Sequence, residues 1–401
     1  MRAFHFYHGH RMGMHFSDFW LYELSMWFHT LAHSLVNIFI PILMLKSGYD
    51  IKGVVLFYLL FNIIDVPLNF VARTFVRLMG ARFSIVVATC ATIAFFWIFL
   101  RIHEPTLTIL FLLAALAAVY DTFYWVAHFF LFMESGGTSK QASNSTGIMY
   151  AVRQGAIILG PATGAVILIF FSQTALLYVT IAGLLLSLVP LIALSTLPDK
   201  PQNRGLMYGE FFSLPQGKVA FLSTAFYALH DAVESTLFPI FIFLLFKSIE
   251  SVAIIPILIS VAAMITALMV GRIKPRLRRL ALILGTLAIA STWVVRLVAG
   301  DPTIYYASIL LVSICVYFVL IPIDSAIFEH ALRTRDPLSA SMYRNVAFMF
   351  TNAILFAVLM LFLNIFEPSF AIAIAGLLAL GVLHLIPMKF IFRQPPRRHH
   401  S

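Results

Sequence analysis

His230, Asp231 and Glu234 stand close together inside an apolar stretch, Ala225 to Pro239, that continues on both sides. An ionisable side chain at the centre of a membrane-spanning helix costs roughly 2.5–3.5 kcal/mol on insertion scales, so three together imply a use. At helical spacing His230 and Glu234 are i, i+4 and Asp231 and Glu234 are i, i+3, which lets all three share one side. The chemistry open to Asp231 and Glu234 is proton coupling, one acid staying charged while the other gains and loses a proton. Pairing with a neighbouring helix is the structural alternative.

Other apolar segments carry polar groups at similar spacing. His29, His33 and Asn37 recur every fourth residue and form a stripe toward a water-filled cavity or toward a packed helix. His29-Thr30-Leu31-Ala32-His33 has the histidine spacing of a zinc-protease helix, but Thr30 stands where the general-base Glu belongs, and no metal is expected. Tyr120, Asp121, Tyr124, Trp125 and His128 combine an acid, aromatic surfaces and an imidazole. That face suits an organic cation through charge and cation–π attraction, or is an aromatic packing stripe with one satisfied acid. Asn62, Asp65 and Asn69 repeat the pattern, and Asp65 and Asp324 are further acids for proton carriage or structural pairing. Arg153 and Arg344 fall in corresponding parts of the two halves of the chain, where a guanidinium would brace a gate or hold an anion.

The elements that position these groups follow from composition. Hydrophobic residues are 61% of the chain and charged ones 11%, against roughly 45–50% and 25% in soluble domains. Apolar runs of about 20 residues point to spanning helices rather than barrel strands, so the expected class is an all-α membrane protein. Cys90 and Cys315 lie in apolar runs and imply no disulfide framework. No nucleophile and base pair or cofactor motif is recognisable, so neither an enzyme nor a cofactor is expected. The segments read as twelve spans, at about 18–46, 53–73, 84–100, 106–134, 144–171, 174–197, 217–247, 252–271, 280–298, 303–331, 337–363 and 367–392.

Most of the 27 Lys and Arg collect in alternate connections, among them Arg73, Arg77 and Arg82, and Arg272 to Arg279. Both termini are therefore expected in the cytoplasm, with anionic inner-leaflet lipid as the counterpart of the +10 net charge. Basic residues scattered over short loops give no nucleic-acid patch. The histidine-rich and aromatic start, with His5, His8, His10 and His15, reads as an interfacial segment, and Arg397 to His400 as a solvated end.

The longest polar interruption divides the chain into 1–197, a central cytoplasmic loop at 198–216, and 217–401. The two six-helix halves repeat each other. Leu31 to Pro41 matches Leu229 to Pro239 with the prolines aligned, and Val119-Tyr120 matches Val316-Tyr317 at nearly the same shift.

Two six-helix halves around a cytoplasmic loop resemble the major facilitator superfamily. Arg77-Leu78-Met79-Gly80-Ala81-Arg82 resembles the end of that family's loop motif, and Gly271 to Arg279 its degenerate second copy. Arg153-Gln154-Gly155 continuing to Gly160-Pro161-Ala162-Thr163-Gly164 is similar to the span-five motif of its exporters, and Leu197-Pro198-Asp199 to the close of its span six. The family's loop acid would fall at Arg77 and Pro275, so neither copy keeps it, and Glu134 or Glu329 is the expected partner of the loop arginines.

The resemblance implies a monomeric multi-pass carrier in the cell (inner) membrane that moves a small molecule by alternating access. Arg77, Gly80, Arg82, Arg153, Gly160, Pro161, Gly271 and Arg344 would form its gates. His33, Asn37, Asp121, Tyr124, His128 and His230 would hold substrate, and Asp231 and Glu234 would exchange the proton. The favoured task is proton-coupled export of a cationic or amphipathic compound. Uptake of a sugar, peptide or metabolite is the alternative, and a non-transporting sensor or a membrane-embedded enzyme lies outside the class.

Overall fold

Proline decides where two of the long apolar helical stretches break. In the computed structural model α1 (Gly9–Ser34) gives way to a 3-10 turn, Asn37–Phe39, before α2 (Ile40–Lys46). Likewise α8 (Pro215–Ala232) loosens into a π turn, Val233–Leu237, before α9 (Phe238–Phe246). Pro41 and Pro239 lack the N–H that would bond four residues back, and their rings crowd that carbonyl. The neighbouring donors compensate in opposite ways: Ile40 N–H reaches Asn37 O, three residues back, whereas Phe238 N–H reaches Val233 O, five back.

The structure describes residues 9–102, 104–135, 142–193, 200–201, 210–299 and 301–386. The remaining helices are α3 (Ile51–Met79), α4 (Ala81–Phe99), α5 (Leu107–Ser135), α6 (Ala142–Phe170), α7 (Gln173–Ala193), α10 (Ile249–Gly271), α11 (Pro275–Val298), α12 (Pro302–Thr334), α13 (Pro337–Leu359) and α14 (Phe366–Leu385). Eleven stretches among the described residues are helical, long and apolar enough to cross a membrane, and the expected eighth span folds as α10. The chain is an all-α, multi-pass membrane protein. The histidine-rich start up to His8, Leu197-Pro198-Asp199, most of the 198–216 loop and the basic end at Arg397 to His400 lie outside the described residues.

Large apolar side chains such as Phe170, Ile192, Leu284 and Val298 face outward, as lipid contact requires. Between helices, small residues allow close approach. A Cβ at Gly160 would sit 1.9 Å from Ser34 Oγ, and one at Gly164 would sit 2.0 Å from Leu35 O, so α6 presses on the broken end of α1. Where α6 meets α10, a Cβ on Gly147 would approach Gly271 Cα to 2.9 Å. Gly80 turns α3 into α4 with φ at +102°, a backbone open to glycine and strained for other residues.

Candidate functional site

A cavity of about 280 Å³ opens among α1 and the turn after it, α3, α4, α5, α6, α8 with its π turn, and α13. It takes the C-terminal end of the first span (His33, Asn37), the first half of α3 (Tyr58, Asn62) and the second half of α13 (Phe348, Asn352). The cavity therefore lies toward the end of the bundle opposite the Gly80 turn. A deeper pocket of about 190 Å³ shares Asp121, Trp125, Arg153, Asp231, Phe348 and Met349 with it and adds Tyr150, Tyr227, Arg344 and Asn345.

Of the expected substrate residues, His33, Asn37 and Asp121 line this space, as does Asp231. Tyr124, His128 and His230 do not. Tyr124 stacks on His29 with ring centroids 3.9 Å apart, which fills its face. His128 lies within 2.9 Å of Tyr22 Oη and is buried between α5 and α1. His230 accepts the Trp293 indole N–H at 2.9 Å, on the side of α8 turned toward α11.

The expected common face of His230, Asp231 and Glu234 is corrected in the same way. Glu234 accepts two N–H groups of Arg296, one of them at 3.1 Å, and the Arg296 side chain is fully buried. Arg296 also donates to Ser308 Oγ at 2.7 Å, and its guanidinium lies 3.9 Å from the centre of the Phe238 ring and 4.4 Å from that of Trp293. Successive helical positions differ by about 100°, so Glu234 falls within roughly 40° of His230 and both turn toward α11, while Asp231, roughly 100° round from His230, points to the cavity. Arg296 falls near the end of the expected span 280–298, and no role was expected of it; its position one turn after Trp293, at the last turn of an apolar run, was the available signal.

Asp65 and Asp121 meet through α13. Asp65 accepts Thr122 Oγ1 at 2.6 Å and Asn69 Nδ2 at 2.6 Å. Asn345 Nδ2 lies 3.3 Å from Asp65 Oδ1 and also 3.3 Å from Asp121 Oδ2, so one amide bridges the two acids. Glu23 was also missed: it is 1% exposed, and neither carboxyl oxygen has a hydrogen-bond partner among the described residues.

Toward the Gly80 end the space is closed by polar contacts. Arg73 on α3 lies 3.7 Å from Asp336 and donates Nε to Ser339 Oγ at 2.9 Å on α13. Arg344 binds Asp324 through Nε at 2.7 Å, Tyr150 donates to the same carboxylate, and Gln154 donates to Tyr317 Oη. Arg278 donates to Glu329 at 2.7 Å, so one of the two acids expected to receive a loop arginine does so. Arg77 is exposed at the end of α3, and Arg82 sits in the first turn of α4. Arg153 stands 5.0 Å over the Trp125 ring on the cavity wall.

No protein-family model matches the chain, and no curated protein sequence matches it. Solved structures do. The human organic anion transporter MFSD10 superposes with a TM-score of 0.71 at 13% identity, covering 92% of this chain and 99% of that one. A bacterial homologue of the iron transporter ferroportin, in an outward-facing state, gives 0.69 at 14% identity over 92% and 98% of the two chains. The fold is that of major facilitator transporters. The same homologue with soaked iron gives 0.69 at 12% identity. The cavity lies between helices α1, α3, α4, α5 and α6 on one hand and the later helices α8 and α13 on the other.

Proposed function

We propose that this protein is a secondary active transporter, not an enzyme, that carries a small amphipathic molecule through the central cavity by alternating access. The observation that carries the reading is the asymmetry of the cavity: polar and open-walled toward one end, closed toward the other by buried contacts between helices. In this reading α10 is the eighth of twelve spans, the two six-helix halves rock against each other, and the termini lie in the cytoplasm. The cavity then faces outward, and the Arg73, Arg278 and Arg344 contacts form the closed inner gate.

His33, Asn37, Tyr120, Asp121 and Asp231 contact the ligand. We assign the proton to the bridged acids Asp65 and Asp121, because two carboxylates within reach of one amide repel each other when both are charged. Glu234 is engaged by Arg296 and ties the π turn after α8 to α11. The amide of Asn345 comes from α13, so the charge state of the acids bears on the contact between α13 and the helices of the first half. Export of a cation draws support from Asp121 and Asp231, but Arg153 on the same wall favours a ligand with an anionic group as well.

The test is proton movement in proteoliposomes of purified protein, followed with an internal pH dye while organic cations, organic anions, amino acids and sugars are added in turn. Substrate-triggered proton flux, abolished by Asp65→Asn and by Asp121→Asn, is expected. Absence of flux across the panel would overturn the transport reading.

A further inference from the structure

Two charged groups on the cavity wall have no ion-pair partner. Arg153, on α6, lies over the Trp125 ring at 5.0 Å and has no hydrogen bond or ion pair among the described residues. Asp231, on α8, accepts one long hydrogen bond from Tyr227 at 3.4 Å. Both line the outer cavity and the deeper pocket, and they form no ion pair with each other among the described residues.

The other charges around this space are engaged. Arg344 is held by Asp324, and Asp121 is joined to Asp65 through Asn345. A guanidinium and a carboxylate held in a partly dehydrated space without ion-pair partners carry a desolvation cost that an incoming group of opposite charge offsets. The cavity that both residues line also carries the aromatic side chains of Tyr58, Phe61, Tyr120, Trp125 and Phe348.

We propose that the ligand is a small zwitterion with an apolar body, its carboxylate on Arg153 and its ammonium on Asp231, as in an aromatic α-amino acid. The inference rests on reading this cavity as the transport site, and it names the substrate class that the site takes. The guanidinium fork suits a carboxylate with two parallel hydrogen bonds, and the aromatic rings cover the apolar body. Arg153 belongs to a first-half helix and Asp231 to a second-half helix, so a ligand that bridges them draws the two halves together across the cavity. A molecule with a single charge satisfies one group and leaves the other unpaired. Selectivity and closure therefore have the same origin.

The experiment is titration calorimetry on the full-length protein in nanodiscs with three probes that share a phenyl body: phenylalanine, phenethylamine and 3-phenylpropionate. Phenylalanine is expected to bind at least about tenfold tighter than either singly charged probe, the scale of one charge-assisted hydrogen bond. Arg153→Met should reduce phenylalanine to the affinity of phenethylamine, and Asp231→Asn should reduce it to that of 3-phenylpropionate. Arg153→Lys, which keeps the charge, should recover part of the preference and guards against a folding defect in the Met variant.

A singly charged probe that binds as tightly as phenylalanine, preferences unchanged in both variants, or no binding by any probe would overturn the proposal. Phenylalanine binding without flux of any compound in liposomes would leave the zwitterion site standing and remove the transport reading. Flux of other compounds without a zwitterion preference would do the reverse.

Discussion

Arg344 on α13 grips Asp324 on α12 with two prongs, Nε to Oδ1 at 2.7 Å and Nη2 to Oδ2 at 3.0 Å. The Tyr150 hydroxyl of α6 donates to the same carboxylate, and Phe129 lies 4.0 Å under the guanidinium. Four helices thus converge on one ion pair below the cavity, and this convergence makes the pair the centre of the closed end.

Removing one partner leaves the other charge buried. Arg344→Met and Asp324→Leu should each destabilise the fold by about 3–5 kcal/mol, and the double variant by clearly less than their sum. Equilibrium unfolding in mixed micelles measures this, and additive losses would show that the pair contributes little.

The Gly80 turn and the α1–α6 contact have different failure modes. Gly80→Ala forces a side chain into a backbone region that is nearly glycine-only and should cost about 1–3 kcal/mol. Gly164→Leu should cost more, because Leu35 O lies 2.0 Å from the position of the new Cβ and the broken end of α1 must move away. Thermal unfolding of the two variants beside wild type checks the order.

Glu234 and the acids at Asp65 separate structure from coupling. Glu234→Gln weakens a charge-assisted pair with Arg296 and should lower the melting temperature while leaving the pH dependence of transport unchanged. Asp65→Asn should do the opposite, removing the proton signal at little cost in stability. Melting curves and pH-rate profiles on the same preparations distinguish the two, and a lost proton signal in Glu234→Gln would return the coupling role to that residue.

Much of this arrangement is legible in the chain itself. Apolar runs of spanning length announce the helices, and the aligned Pro41 and Pro239 announce where two of them break. The cavity-lining His33, Asn37, Asp121 and Asp231 are visible because polar residues at helical spacing are expensive in an apolar run. What one helix cannot reveal is the identity of a partner on another. Glu234 and Arg296, or Asn345 and the two acids, meet through tertiary packing, and His230 turns from the cavity because Trp293 offers it a donor. Helical angle narrows the faces available, and contacts between helices choose among them.

Asn345 offers a finer probe of the link between α13 and the acids on α3 and α5. Asn345→Ala removes the amide shared by Asp65 and Asp121 and should slow transport at least about tenfold, the scale of one charge-assisted hydrogen bond. Asn345→Gln should recover little, since a longer side chain shifts the amide from its shared position. Initial rates in proteoliposomes measure both, and wild-type rates in both would show the bridge to be incidental.

Alternating access is the central claim, and paired distance measurements test it most directly. Spin labels at Lys46→Cys and Lys247→Cys, exposed at the ends of α2 and α9, report the cavity end, and labels at Leu78→Cys and Leu277→Cys report the Gly80 end, with Cys90 and Cys315 replaced by Ser. Double electron–electron resonance in nanodiscs, with and without transported ligand, should show two populations at each end, one end closing as the other opens. A single unchanging distance at both ends, in the presence of a ligand that is transported, would contradict the account.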